Sequence, residues 1–226
     1  KEFKVPEDAI LGETRMRVGI QYFENESSAS NVSPSYVGRK LHYGEMEDYT
    51  IVVVDYCDSK FSEDSFLSEF ITKVKFPGIE TVSSGIDNVS GKSEIGYEDF
   101  TKISAEVAKG ESYPIEVIFD AVGYSDHCTV YIDWNGDRDF SDPGEKISLG
   151  VGYGGINTLT KEFKVPEDAI LGETRMRVMI HLQPIEDPCY IGRYGETEDY
   201  TIVVVEKKYC DSKFSEDSFL SEFITK

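Results

Sequence analysis

Apolar and polar residues alternate with a period of two along the clearly patterned stretches of this chain, and that period marks β-strands with one buried face. Ser112–Phe119 (SYPIEVIF), Thr129–Trp134 (TVYIDW), Thr174–Ile180 (TRMRVMI) and Tyr200–Val205 (YTIVVV) read as alternating or β-branched runs, parted by turn clusters. Helical spacing is scarce. Phe66, Leu67, Phe70, Ile71 and Val74 fit a helical stripe, but Phe70, Thr72, Val74 and Phe76 alternate equally well, so a strand from about Glu69 is the preferred reading. Trp134 shares a strand face with Val130 and Ile132, which places it in a core rather than on a sugar platform. Many short strands with Gly-rich turns predict an all-β fold: a two-sheet antiparallel β-sandwich of jelly-roll or Ig-like type.

The same pattern is written twice. Lys1–Ile20 recurs as Lys161–Ile180 with one change, Gly19 against Met179. YGEMEDYTIVVV from Tyr43 returns as YGETEDYTIVVV from Tyr194, and YCDSKFSEDSFLSEFITK from Tyr56 returns unchanged as Tyr209–Lys226. The order of the blocks predicts a tandem repeat: residues 1–55 as the end of one unit, 56–205 as a complete unit and 206–226 as the start of the next. Cys57 to Cys210 sets a period of 153 residues, large enough for each unit to be a domain. The copies diverge mainly in one stretch, Gln21–His42 against His181–Arg193, where the first is nine residues longer. Such tolerance of insertion predicts a surface loop. The chain opens at Lys1 without Met and stops at Lys226 in mid-pattern, so a piece of a longer protein is expected.

Charge narrows the function classes. With 43 Asp+Glu against 23 Lys+Arg in 226 residues, the formal charge is −20, which opposes nucleic acid and anionic membrane surfaces. The longest apolar runs, such as Ile202–Val205, fall far short of the ~20 residues that span a bilayer. Neither a nucleic-acid partner nor membrane insertion is expected. Hydrophobic residues at 39%, with 14 Tyr and 13 Phe, supply a core and disfavour disorder. The four Cys fit no CxxC spacing and the three His form no HxxxH pair, so zinc is not indicated.

One segment has the chemistry of a cation site. Asp133-Trp-Asn-Gly-Asp-Arg-Asp-Phe-Ser-Asp-Pro-Gly-Glu145 follows a strand and offers oxygens from Asp133, Asn135, Asp137, Asp139, Asp142 and Glu145. Ca²⁺ takes about 6–8 oxygen ligands, and Gly136 allows the tight bend that would wrap them around it. The spacing differs from an EF-hand, and a hairpin whose Asx residues only cap turns stands as the alternative. A second acidic group, Glu196, Glu198 and Asp199, precedes the last strand, while Arg175 and Arg177 lie on the polar face of TRMRV. If the two strands are antiparallel neighbours, acids and arginines pair across the sheet as a structural cluster; a second metal site is the sharper alternative. Cys128 reads as a buried free thiol.

YIDWNGDRDFSDPGE, then FKVPEDAILGETRMRV, then YGETEDYTIVVV resembles the GEVED-domain family, whose box reads Gly195-Glu196-Thr197-Glu198-Asp199 here and Gly44-Glu45-Met46-Glu47-Asp48 in the partial copy. The resemblance implies secreted β-sandwich modules strung in tandem in large surface proteins of Bacteroidetes, including adhesins of gliding bacteria, or appended to secreted hydrolases. It implies no catalytic residues. It also implies a disulfide between an early Cys and one just upstream of the box, here Cys57 and Cys189, which a secreted setting would preserve. The partial copy departs from this, with Ser35 where Cys189 stands.

No GxSxG, P-loop or Cys/His constellation is present, and enzyme activity is not expected. The function expected is a non-catalytic structural or adhesive repeat of a secreted cell-surface stalk or filament, stiffened by calcium. Its partners would be identical repeats or chains joined head to tail, with surface polysaccharide or a host or cell surface as target. The competing expectation is a carbohydrate- or ligand-binding accessory module of a secreted hydrolase.

Overall fold

The computed structural model describes residues 5, 9–21, 44–62, 69–79 and 85–207, which fall into two compact units divided between Tyr56 and Cys57. The expected start of a further repeat at 208–226, with Cys210, and most of the longer variable stretch lie outside the described residues.

In the first unit, β1 (Gly12–Gln21) and β2 (Gly44–Val53) pair antiparallel in unbroken register from Gly12 opposite Val53 to Gln21 opposite Gly44. The second unit holds β3 (Lys60–Ser62), β4 (Phe70–Phe76), β5 (Ile86–Val89), β6 (Tyr97–Ala108), β7 (Ser112–Asp120), β8 (Ser125–Ile132), β9 (Lys146–Tyr153), β10 (Ile156–Lys164), β11 (Gly172–His181), β12 (Ile191–Arg193) and β13 (Gly195–Val205). Among the described residues there is no helix, and so none long and apolar enough to cross a membrane. The four expected strands are β7, β8, β11 and β13.

Two sheets face each other, one ordered β10-β7-β4-β5 and the other β6-β13-β11-β8-β9. Their inner faces supply Ile71, Val74, Phe76, Ile115, Val117 and Phe119 from one side, and Val130, Ile132, Met176, Val178, Ile180 and Ile202 from the other. Trp134 joins this core beside Phe163, with ring centroids 6.0 Å apart. The chain is therefore a β-sandwich, as the alternation predicts.

Two details differ from the expectation. The sandwich is not antiparallel throughout: β6 joins β13 in parallel, and β12 joins β3 in parallel. Strand β6 reaches its sheet edge by crossing the sandwich rather than through a hairpin, so no tight turn fixes its direction. In β4 the register shifts between Ile71 and Lys73, so the buried set is Ile71, Val74 and Phe76 rather than a strict 70/72/74/76 alternation. A bulge re-aims side chains in this way.

The outer face of the five-stranded sheet is also covered. Leu182–Tyr190, the loop of the variable stretch, lies over it: Ile185 is 5% exposed, and its carbonyl accepts a bond from Tyr131 Oη at 2.9 Å. Strands β11 and β13 are thus buried on both sides along most of their length, and whatever polar groups they carry need partners.

Candidate functional site

The acidic loop joins β8 to β9, and its backbone is folded by its own carboxylates. Asp133, fully buried, accepts from the N–H groups of Gly136 at 2.6 Å and Arg138 at 3.0 Å. Glu145, 1% exposed, closes the base by accepting from the N–H groups of Trp134 at 2.9 Å and Asp142 at 3.2 Å. Burial raises the Glu145 carboxyl above its ordinary value while those two N–H donors work the other way. Between them, Asn135, Asp137 and Asp139 each accept from the N–H two residues on, at 3.1, 3.0 and 2.8 Å, which is a run of Asx turns. The Ser141 N–H and hydroxyl hold the Asp139 carboxyl below the usual range. Gly136, at φ 71°, takes a left-handed turn that a Cβ would resist.

This arrangement narrows the six-residue cation set. Asp137, Asp139 and Asp142 bring carboxylate oxygens within 4.8 Å of one another and could hold a metal ion. Asp133 and Glu145 instead turn toward the loop's backbone. Asn135 sits beside the trio with its amide Nδ2 donating to Asp137 at 2.9 Å and Asp142 at 2.7 Å. The turn-capping reading and the cation reading therefore describe different members of one loop.

The second group sits on β13, where alternation splits it between the two faces. Asp199 points outward and is fully buried beneath the variable loop. Arg177, opposite it on β11, donates Nε to Asp199 Oδ1 at 2.7 Å and Nη2 to Oδ2 at 2.8 Å. Arg175 adds a third bond to Asp199 at 3.3 Å. Arg177 Nη1 goes on to the Pro188 carbonyl at 2.8 Å, and its guanidinium lies 5.3 Å from the centre of the Phe140 ring. Beside it, Cys57 and Cys189 form a disulfide. The pairing that the family resemblance implies is the one in the structure.

Glu196 and Glu198 do not join the arginines. They point inward, where Glu196 accepts from the N–H groups of Ile71 at 2.7 Å and Ser93 at 2.8 Å and so ties β13 to the opposite sheet. Glu198 accepts from Tyr200 Oη at 2.7 Å. Burial pushes Glu196 up to about 8 and Glu198 up to about 7. The expected five-residue acid and arginine cluster is thus an outward trio of Arg175, Arg177 and Asp199, plus two inward glutamates. Strand parity enforces the split, since Glu196 and Glu198 are two residues apart and share a face, while Asp199, one residue after Glu198, falls on the other.

The sequence reading missed the acids that share the interior with this pair. Glu69 and Asp126 are buried, and Glu69 Oε2, both Asp126 oxygens, Glu98 Oε2 and Glu198 Oε1 meet no hydrogen-bond donor among the described residues. Glu69 and Asp126 can bond to each other only when one of them holds a proton. Burial first, then the neighbouring Glu69 charge and that shared proton, pushes Asp126 up to about 7. Parity held the signal: Asp126 shares its face with Cys128, Val130 and Ile132. Cys128 is free and buried, and burial pushes its thiol up.

A sandwich whose penultimate and last long strands carry TRMRV and a Gly-Glu-x-Glu-Asp box, braced by a disulfide, defines the class of domain. The GEVED domain family profile matches residues 1–52 and 127–203, more than half of the chain, and the chain belongs to that family. No curated protein matches it. Among solved structures it is similar to a family 123 glycoside hydrolase from Clostridium perfringens, studied for glycolipid glycan hydrolysis. That similarity has a TM-score of 0.30 and 13% identity, and covers 51% of this chain and 24% of that one.

Proposed function

We propose that this chain is a non-catalytic structural module of a secreted cell-surface protein, stiffened by a hard cation at the acidic loop. The observation that carries the reading is the commitment of the box itself. Glu196 caps backbone of the opposite sheet, Glu198 holds Tyr200, and Asp199 neutralises Arg177 under a disulfide-anchored loop. Acids engaged in this way brace a sandwich rather than turn over a substrate. A disulfide-braced chain suits an oxidising extracellular setting.

Ca²⁺ is the cation proposed, held by Asp137, Asp139 and Asp142. The Asn135 amide already bridges two of these carboxylates, and turning it over would present Oδ1 to an ion in their midst. An ion bound only by the folded chain raises its melting temperature by mass action. Calorimetry of the intact chain with Ca²⁺ and with chelator is expected to show a higher transition with Ca²⁺, and Asp139→Asn to remove the difference. An unchanged transition at millimolar Ca²⁺ overturns the cation assignment.

The accessory-module reading draws on one depression of about 470 Å³ lined by Lys60, Phe61, Ile95, Ile191 and Arg193. Its exposed apolar walls, Ile95 and Ile191, are aliphatic, and its aromatic residue, Phe61, is buried, whereas sugar platforms are exposed aromatics, so the structural reading is preferred. Binding of the chain to a surface polysaccharide, abolished by Ile191→Asp, would reverse that preference.

A further inference from the structure

The β1–β2 hairpin and the β11–β13 pair share one register: Met16 stands opposite Tyr49 as Met176 stands opposite Tyr200, and so on through ten residue pairs each. The bidentate ion pair repeats as well, with Arg17 Nε and Nη2 donating to Asp48 at 2.6 and 2.8 Å. Residue identity is complete on one face. Met16, Val18, Ile20, Glu45, Glu47, Tyr49, Ile51 and Val53 match Met176, Val178, Ile180, Glu196, Glu198, Tyr200, Ile202 and Val204. In β11–β13 this is the inner face of the sandwich, where Val178, Ile180 and Tyr200 are 0% exposed. In the hairpin Val18 is 44%, Ile20 70% and Tyr49 46% exposed. The strand pairs differ at three positions, Gly19 for Met179, Gln21 for His181 and Met46 for Thr197, none of them among these eight.

We infer that the β1–β2 hairpin is a docking surface for the β3–β10 portion of another GEVED repeat, a segment with the chemistry of residues 57–165 of this chain. The second unit displays what that partner must bring. Its β8 lies antiparallel along β11, from Ile132 opposite Met176 to His127 opposite His181. Its β6 lies parallel along β13, from Tyr97 opposite Thr197 to Ala108 opposite Val205. Ile71, Val74, Val117 and Phe119 form the facing apolar layer. On the hairpin, β1 would take the β8 equivalent and β2 the β6 equivalent. Glu45 would accept the two backbone N–H groups that Ile71 and Ser93 donate to Glu196. A second intact copy does not fit, because its β6 and β8 already flank its own β11–β13, and exchanging one identical strand pair for another buries nothing new. Covering this face removes apolar surface and sheet edges from water, the two features that make isolated hairpins marginal.

The inference rests on the repeat-module reading but not on the cation, and the two fail separately. The test mixes the full chain with a fragment spanning 57–165 that carries Cys57→Ser, co-diluted from denaturant. The expected result is a one-to-one complex in sedimentation, with amide exchange of β1 and β2 slowed at least about tenfold. Val18→Asp in the full chain would place a charge in the new core and is expected to weaken the complex by about 100-fold or more. The melting of its second unit should be unchanged, which shows that the variant is otherwise folded. No complex, or a complex indifferent to Val18→Asp, overturns the proposal. So does self-association of the full chain alone that Val18→Asp abolishes, since the occupant would then be a second copy.

Discussion

Replacing Asp199 by alanine removes both carboxylate oxygens from a guanidinium that is 1% exposed. What remains to Arg177 is the Pro188 carbonyl, the Cys57 sulfur at 3.7 Å and the face of Phe140. None of these carries a formal charge. Breaking a buried pair by deleting one partner costs about 3–5 kcal/mol, because the survivor stays charged in a poorly solvating site. For a unit of this size each kcal/mol moves the melting temperature by about 2–4 °C, so Asp199→Ala is expected to lower it by roughly 6–20 °C. Arg177→Met should cost less. It leaves Asp199 with Arg175 at 3.3 Å and the Tyr97 hydroxyl at 3.2 Å. The double variant should be less damaged than the two single losses added together, because the deleted partners no longer orphan each other. The chain contains its own control: Arg17–Asp48 has the same bond geometry on the exposed hairpin, and Asp48→Ala is expected to leave the transition of the second unit where it is. Calorimetric melting of the four variants reads all of this. If Asp199→Ala shifts the transition no more than Asp48→Ala does, the buried ion pair does not brace the sandwich as argued.

Opening the Cys57–Cys189 bridge, which spans 132 residues, should cost about 5 kcal/mol in the chain-entropy model; denaturant melts of Cys57→Ser with Cys189→Ser check it, and an unchanged midpoint contradicts it. Glu196, Glu198 and Asp126 hold their protons to about 8, 7 and 7 when folded, against ordinary values of 4.5, 4.5 and 3.8. The folded state thus binds these protons more tightly, so the stability these three groups contribute is fully present below about pH 4 and is lost as pH rises toward about 8. A melting temperature that is as high at about pH 8.5 as at about pH 5 would contradict this, and Glu196→Gln should flatten the slope. A Cβ on Gly195 would run into the Ile180 carbonyl oxygen and lie 2.9 Å from the Phe61 ring. Gly195→Ala is therefore expected to cost about 1–3 kcal/mol or more, a loss visible in urea melts.

Much of the sandwich is legible because β7, β8, β11 and β13 keep period two along their length and lie within the repeated or turn-bounded text. Strand β6 is not: its pairing slips by three residues between Phe100 and Ser104, opposite the consecutive Tyr200 and Thr201. Its apolar residues consequently lose a single phase. Strands β9 and β10 escape notice because their partly exposed faces carry Thr, Lys, Ser and Gly, which alternate weakly. At the acidic loop, the density of Asx residues announces ligand-rich chemistry. It does not announce which carboxylates the backbone consumes, because that depends on where Gly136 and Arg138 turn left-handed. On β13, parity alone suffices to separate Glu196 and Glu198 from Asp199. The arginines suggest otherwise only when the box is read as a block rather than as a strand.

The disulfide has a consequence for a chain under tension. Force entering the second unit at Cys57 and leaving at Val205 need not travel through the intervening strands, because the bridge hands it directly to Cys189. Even with every hydrogen bond broken, the segment between the two cysteines cannot be drawn out, and only the stretch from Cys189 to Val205 is free to lengthen. That is about 60 Å of contour at roughly 3.5 Å per residue, against about 500 Å for the reduced chain. Oxidised, the unit behaves as a link of nearly fixed length whose failure releases little slack; reduced, it becomes a long shock absorber.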